Sequence, residues 1–244
     1  MPRSTITTIH PIMGAIGSVP IPARISVGPV PKPVYPFVTI SRAPGAGAIG
    51  VSHQLVDALN AELADGEQKW TCWDREIVEK VAADHNLSAR LVEGLEEKDH
   101  SWIGNFLSAL SFADERHVDE DVIYSRVKRT VEALASAGRV VIIGRGGVFI
   151  TRHLPGGIHI RLVAPFDKRV QFMVKALGLN EKVVAAQIRA IEKNRRAFFK
   201  MHWPSKSLDA DQFALTINTA EVEIPTIVQG LKTLVKQKAL ALAG

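Results

Sequence analysis

Short runs of apolar residues alternate along most of the chain with longer segments in which apolar residues recur every three or four positions. The short runs predict buried strands, at residues 37–41, 69–73, 140–143, 158–163 and 213–219. The longer segments predict amphipathic helices, at residues 49–64, 119–137, 166–177, 181–200 and 224–242. Strands that alternate with helices are typical of an α/β fold with a parallel sheet and right-handed crossovers.

A glycine-rich turn follows the first predicted strand and has the form Gly45-x-Gly47-x-x-Gly50. Glycines allow backbone N–H groups to crowd together and point outward, and the following helix places its positive end behind them. The turn therefore predicts a site for an anionic group such as phosphate. The alternative is a tight turn that only packs a helix against the sheet.

The spacing of these glycines fits two phosphate-binding patterns. It satisfies the dinucleotide-binding fingerprint, and it also satisfies the first half of the phosphate loop of nucleoside triphosphatases, with Ser52 in the hydroxyl position. The lysine of that second pattern is missing, since Val51 occupies its place. A shifted register puts Ala48 there instead, so no ammonium group reaches a phosphate from this loop.

The composition of the chain indicates which kind of ligand it binds and in which cellular compartment it lies. The chain has 244 residues, of which 46% are hydrophobic, and a formal net charge of +5. Basic and acidic residues are interspersed, which favours phosphate-bearing ligands over nucleic acid. The single cysteine, Cys72, excludes an intrachain disulfide and predicts a reducing, cytoplasmic location. No apolar run approaches the roughly 18 residues of a membrane span.

Residues 1–36 differ from the rest of the chain because they contain eight prolines and no acidic residue. Proline at this density opposes regular helix and favours extended structure. The segment also carries scattered isoleucines, so we expect an arm that contacts a protein partner or another subunit of a homo-oligomer. A flexible tail is the alternative.

The ends of the predicted strands carry the polar and glycine-rich segments. In parallel α/β sheets, ligands bind outside the carboxyl ends of the strands. This rule places four segments at one edge, namely Gly45–Gly50, Asp74–Arg75, Gly144–Gly147 and Ala164–Pro165.

Six motifs in this order resemble the cytidylate kinase-like family. They are Ile40-Ser41-Arg42 before the glycine turn, Trp73-Asp74-Arg75-Glu76-Ile77, Ile142-Ile143-Gly144-Arg145-Gly146-Gly147, Arg161-Leu162-Val163-Ala164-Pro165, the region from Ile191-Glu192 to Arg195, and Ile217-Asn218-Thr219. The resemblance covers roughly residues 37–237. It implies a P-loop, nucleoside-kinase-like parallel sheet flanked by helices, within a domain of residues 37–244. It also implies a helical acceptor-binding insertion at about 76–137 and a basic helical lid at about 181–210.

The resemblance also implies roles for individual residues. The donor phosphates of ATP, with Mg²⁺, would lie at the turn and its entrance, formed by Arg42, Gly45, Ala46, Gly47, Ala48, Ile49 and Gly50. Asp74, Arg75 and Arg145 would bind the phosphate acceptor. Arg145 would also act in catalysis together with lid arginines, namely Arg189, Arg195 and Arg196. Phosphoryl transfer mainly requires positioning and positive charge, which arginines can supply.

Several positions depart from the family pattern. Ala48 and Ile49 stand where a further glycine and a basic residue are common, and Phe198 and Phe199 stand where tyrosines are common. Three interpretations therefore stay open. The first is an ATP-dependent kinase that phosphorylates a pyrimidine nucleoside monophosphate or a similar small phosphate acceptor. The second is a catalytically impaired nucleotide-binding or structural subunit that uses residues 1–36 for assembly. The third is a dinucleotide-binding module with Asp74 on a ribose.

Overall fold

The structure is a computed structural model, and it describes residues 34–74, residue 78 and residues 120–244. Most of the predicted N-terminal arm, Arg75, and the predicted helical segments between residues 79 and 119 lie outside the described residues. The predictions made for those segments therefore stay predictions.

Five parallel strands form one sheet with the order β2-β3-β1-β4-β5. The strands are β1 (Phe37–Arg42), β2 (Thr71–Trp73), β3 (Val140–Ile143), β4 (Gly157–Val163) and β5 (Leu215–Asn218). The central strand β1 pairs on both sides, because Val38 is in register with Val141 of β3 and with Ile158 of β4. The predicted parallel α/β sheet is confirmed.

The helices that connect and cover these strands lie close to their predicted positions. They are α1 (Ala48–Asn60), α2 (Glu120–Ala137), α3 (Gly147–Thr151), α4 (Phe166–Leu177), α5 (Glu181–His202) and α6 (Ile224–Ala243). Helix α1 ends four residues earlier than predicted. Strand β2 is shorter than predicted because Asn60, the last residue of α1, binds both backbone polar groups of Trp70 through its side-chain amide.

Helices cover both faces of the sheet, so β3 and most of β1 are buried on each side. On one face, α1 and α6 pack through a core that includes Val51, Leu55 and Leu231. On the other face, α2 packs on β3 and α3 packs on β1. The core on that face includes Val127, Val131 and Ile142.

Helices α4 and α5 form a hairpin with a small core of its own. Val170 of α4 packs against Val184 and Ile188 of α5. Gly178 ends α4 in a left-handed conformation (φ 67°), and the side chain of Asn180 caps the start of α5 by accepting a hydrogen bond from the backbone N–H of Lys182. The hairpin begins directly after the carboxyl end of β4, so it starts at the carboxyl edge of the sheet. In the part of the chain described here, no helix is at once long and apolar enough to cross a bilayer.

Candidate functional site

The glycine turn joins the end of β1 to the start of α1. Gly45 and Gly47 both adopt left-handed backbone angles (φ 82° and 72°), and Gly47 is the N-cap of α1. The backbone N–H of Val51 donates to the carbonyl of Gly47 (3.1 Å). The N–H groups of the preceding helical residues, Ala48 to Gly50, therefore precede the first intrahelical bond and lie at the positive end of the helix. This geometry suits an anionic oxygen.

The start of α1 determines which register of the phosphate-loop pattern applies. Because the helix begins at Ala48, Gly50 lies in its first turn, and Val51 and Ser52 are completely buried. The Ser52 hydroxyl donates to the carbonyl of Ala48 (2.8 Å) inside the helix. The prediction that Ser52 takes the hydroxyl position of the loop is wrong, because this residue lies a full turn into α1 and faces the core. The register with Ala48 after the loop fits the structure.

A cavity of about 380 Å³ lies between the first half of the turn, the β3–α3 connection and the second half of α5. Five arginines line it, namely Arg42, Arg145, Arg161, Arg195 and Arg196. Glu192 is the carboxylate among its lining residues. A cleft with this excess of positive charge attracts anionic ligands. The structure thus brings together Arg42, which the sequence placed at the turn, with three of the four arginines predicted to be catalytic.

An aromatic wall closes the cavity on the side of α5. Its members are Phe149, Phe198, Phe199 and Trp203. The ring centroids of Phe149 and Trp203 are 5.5 Å apart, and those of Phe199 and Trp203 are 5.8 Å apart. The Arg145 guanidinium lies 5.0 Å above the centroid of Phe198. A planar ring can stack on such a wall while an attached anionic group contacts the arginines.

Arg145 lies in a left-handed stretch of backbone at the end of β3. Its φ is 50°, and the flanking residues Gly144 and Gly146 have φ values of 82° and 70°. A left-handed conformation costs a residue with a side chain about 1–2 kcal/mol, and such strain concentrates at functional sites. Burial raises the pKa of the Tyr124 phenol, on α2, to about 12. The positive charge of Arg145 opposes that rise.

Arg161 is a cavity residue that the sequence did not assign to the site. It alternates in β4 with the buried residues Ile160 and Leu162, so its side chain lies on the face covered by α3. The guanidinium donates to the carbonyl of Leu208 and lies 5.6 Å above the centroid of Phe213. Burial lowers the pKa of Arg161. The signal in the sequence was a basic residue near the carboxyl end of an otherwise apolar strand.

A second, narrower groove of about 290 Å³ lies against the other half of the turn. Gly45, Gly47 and residues of α4, the β5–α6 connection and α6 line it. Two lysines of α4, Lys168 and Lys175, are among the lining residues. They are seven positions apart, so they lie on the same side of α4, about 10 Å apart along its axis. The groove thus receives positive charge that the turn itself lacks.

Six of the predicted site residues that the structure describes line neither cavity: four belong to the glycine turn and the start of α1 (Ala46, Ala48, Ile49 and Gly50), and the other two are Arg189 and Asp74. Arg189 lines neither one, and its guanidinium lies 4.7 Å above the centroid of Phe166 at the start of α4. Arg189 precedes Arg196 by seven residues on α5, which separates them by about 10 Å along the helix. Asp74 follows β2 and lines neither cavity, and its carbonyl accepts a hydrogen bond from the N–H of Val78 (3.1 Å).

This strand order, with a glycine turn after the central strand and helices on both faces, defines a P-loop kinase-like protein. A sequence profile of the cytidylate kinase-like family matches residues 37–221. The chain belongs to that family, so the resemblance carried by the six motifs is confirmed.

The first of two similar solved structures agrees with this chain at the level of the fold. An uncharacterized protein from Eubacterium ventriosum is 16% identical, with a TM-score of 0.59 over 82% of this chain and 98% of that chain. Shikimate kinase from Bacteroides thetaiotaomicron is 14% identical, with a TM-score of 0.42 over 82% and 98% of the respective chains.

A curated protein also matches part of the sequence. It is a uronate isomerase from Corynebacterium glutamicum, which is 26% identical over 98 residues, or 40% of this chain. This chain spans only 18% of the length of that isomerase.

Proposed function

We propose that the protein is an ATP-dependent phosphotransferase that acts on a pyrimidine nucleoside monophosphate or a similar small phosphate acceptor. The observation that carries this proposal is the pair of cavities on one glycine turn. One cavity combines five arginines with an aromatic wall, and the other combines the helix start with two lysines. Two anionic ligands that meet at one turn are what a phosphoryl transfer between them requires.

The groove with the lysines is the proposed donor side. Backbone N–H groups of Ala48, Ile49 and Gly50 at the start of α1 hold phosphate oxygens, as helix N-termini do. Lys168 and Lys175 supply the positive charge that the missing loop lysine would otherwise give. ATP, when bound, supplies the phosphoryl group, and the protein positions it.

The larger cavity is the proposed acceptor side. Arg145 and Arg161 bind the acceptor phosphate, because a guanidinium presents paired donors that match phosphate oxygens. Arg195 and Arg196 place positive charge near the transferring group. Asp74 stays a proposed contact for the sugar or base of the acceptor, and Arg75 stays one for its phosphate.

Mg²⁺ enters this proposal as the ion that would accompany the donor phosphates of ATP. Ser52 is turned into the core, and the described ranges contain no group of three acidic, histidine or cysteine side chains that could hold a metal. Magnesium in kinase sites is held in large part by substrate phosphates and water. No role for a protein side chain toward Mg²⁺ is therefore assigned.

A second candidate is a nucleotide-binding or structural subunit with the same fold, which uses residues 1–36 for assembly. The position of Ile224 favours it. A Cβ atom on Gly50 would lie 3.5 Å from the Cδ1 of Ile224, and one on Gly47 would lie 3.8 Å from it. An apolar side chain beside the turn, in a loop without lysine, weakens the stabilisation of transferring charge.

A coupled assay with ATP, Mg²⁺ and a panel of nucleoside monophosphates tests the proposal. We expect turnover with at least one pyrimidine acceptor and a loss on the order of 10²–10³ in kcat for Arg145→Ala, as for the removal of one preorganised charge-stabilising donor. Arg129→Ala, an exposed residue of α2, is the matched control and should keep full activity.

Thermal unfolding with ATP or NAD, measured beside this assay, separates the phosphotransferase, the nucleotide-binding subunit and the dinucleotide-binding module that the sequence left open. Protection against heating by ATP without turnover of any acceptor would favour the nucleotide-binding subunit. Protection by NAD but not by ATP would favour the dinucleotide-binding module. Unchanged kinetics of Arg145→Ala would remove this residue from the site.

A further inference from the structure

Arg169 of α4 is a buried basic residue that faces the glycine turn from behind. Its side chain is 8% exposed. Its Nε donates to the carbonyl of Ala164 (2.9 Å), and its Nη1 donates to the carbonyl of Pro44 (3.0 Å). The same Nη1 lies 2.9 Å from Oε1 of Glu192 on α5. One guanidinium therefore joins the turn, the end of β4 and helix α5.

The backbone of α4 also packs directly on the turn at Gly45. A Cβ on Gly45 would lie 3.0 Å from the carbonyl oxygen of Arg169 and 3.1 Å from its Cβ. Gly45 has a left-handed φ of 82°, and no side chain fits at this approach. The position of the turn therefore depends on the position of α4.

Glu192 connects this contact to the arginines of the larger cavity. It precedes Arg195 and Arg196 by three and four residues, so the three side chains lie on the same side of α5. Nη1 of Arg195 donates to the carbonyl of Arg42 (3.1 Å), two residues before Pro44 at the entrance of the turn. Helix α5 is thus attached twice to the entrance of the turn, directly through Arg195 and indirectly through Glu192 and Arg169.

We propose that the Arg169–Glu192 ion pair couples the two cavities. A phosphate group bound at the turn favours the arrangement in which Arg169 holds Pro44. The ion pair transmits this preference to α5, which then presents Arg195 and Arg196 to an anion in the larger cavity. Two ligands that stabilise the same arrangement raise each other's affinity by the same factor. The proposal rests on the proposed function, because it assigns a nucleotide to each cavity. Arg169 and Glu192 are positioning residues in it.

Isothermal titration with two unreactive probes tests the coupling. CMP is titrated into the full-length protein with and without saturating AMP-PNP, a non-hydrolysable ATP analogue. We expect AMP-PNP to raise the affinity for CMP by a factor of roughly 5–150, the usual range of coupling between two sites. In Glu192→Gln, which keeps the shape and removes the charge, this factor should fall to within about twofold of one.

The control variant removes a comparable ion pair elsewhere. Glu67→Gln breaks the pair with Arg139 (2.7 Å), which precedes β3 and lies at the opposite edge of the sheet. Its coupling factor should equal that of the wild type. If Glu192→Gln unfolds, Glu192→Asp keeps the carboxylate and should retain most of the coupling, whereas Arg169→Lys, which cannot make all three contacts, should lose it.

The outcomes separate this inference from the proposed function. Binding of both probes with an unchanged coupling factor in Glu192→Gln would overturn the coupling and leave the phosphotransferase proposal intact. A coupling factor of one in the wild type would do the same. Failure of both probes to bind the wild type would overturn the proposed function and the coupling with it.

Discussion

Trp203, the residue that ends α5, packs against Gly146 at the end of β3. A change at Gly146 therefore tests how firmly the end of α5 is held on the sheet. Gly146 follows Arg145, and the six-membered ring of the Trp203 indole packs against it. A Cβ built on Gly146 would overlap the ring, with Cζ3 at 2.6 Å and Cη2 nearer still. Gly146→Ala therefore forces Trp203 out of its place, and with it the aromatic wall that holds the end of α5.

The loss in the free energy of unfolding that we expect for Gly146→Ala has two parts. Gly146 has a φ of 70°, so alanine there incurs left-handed backbone strain of about 1–2 kcal/mol. Insertion of a methyl group against a packed ring adds typically about 1–3 kcal/mol. We therefore expect a total loss of about 2–5 kcal/mol in the free energy of unfolding.

The variant Gly178→Ala serves as a control that has the backbone strain without the steric overlap. It has nearly the same φ, 67°, but a Cβ there would meet nothing within 4 Å. Gly178→Ala should thus lose only about 1–2 kcal/mol. Urea unfolding followed by circular dichroism measures both variants, and tryptophan fluorescence reports the displacement of Trp203 in the first. Equal losses in the two variants would refute the steric argument and the seating of α5 that depends on it.

Two further predictions concern buried polar side chains. Burial lowers the pKa of His159 from 6.5 to about 4, with help from the charges of Arg152 and Lys238, so the fold favours the neutral ring. The contribution of the neutral His159 ring to the free energy of unfolding is complete above pH 6.5 and is lost as the pH falls toward 4. We expect the free energy of unfolding to drop by on the order of 2–3 kcal/mol over this range. The drop should be smaller in His159→Gln, and the same pH profile in this variant and the wild type would contradict the prediction. Ser52→Ala should change the free energy of unfolding by less than about 1 kcal/mol, since the Ser52 hydroxyl bonds back to the preceding turn of α1 and otherwise bonds only the weakly polar Cys72 thiol. Its affinity for ATP, measured by calorimetry, should stay the same, and a large loss would return Ser52 to the site.

Regular elements were predictable from the sequence where local signals agree. The run Val140–Ile143 is short, β-branched and bounded by Gly138 and Gly144, and the observed strand has the predicted bounds. Strand β2 was predicted two residues too long because its start is set by a distant side chain, Asn60, which bonds the backbone of Trp70. A local pattern carries no information about such a long-range bond.

The candidate site was predictable only in part, for the same reason. The glycine spacing located the turn, but it could not show which glycine begins the helix, and the structure places that point at Gly47. Lys168 and Arg161 were missed because their approach to the turn and to the cavity depends on how α4 and β4 lie in the assembled fold. Arg189 was grouped with the lid arginines by its sequence context, although α5 carries it to Phe166.

The origin of the positive charge at the turn has a consequence for how this site works. A lysine within a phosphate loop is held by the local backbone and is present whenever the loop is formed. In this chain the two lysines of the narrower groove come from α4, and two of the five arginines of the larger cavity come from α5. The positions of these helices depend on the Arg169–Glu192 pair and on the packing of Trp203. The electrostatic strength of the site is therefore tied to the seating of a helical hairpin rather than to the turn alone. Changes that loosen the hairpin far from any ligand should weaken anion binding, and they should do so even when the glycine turn keeps its backbone conformation.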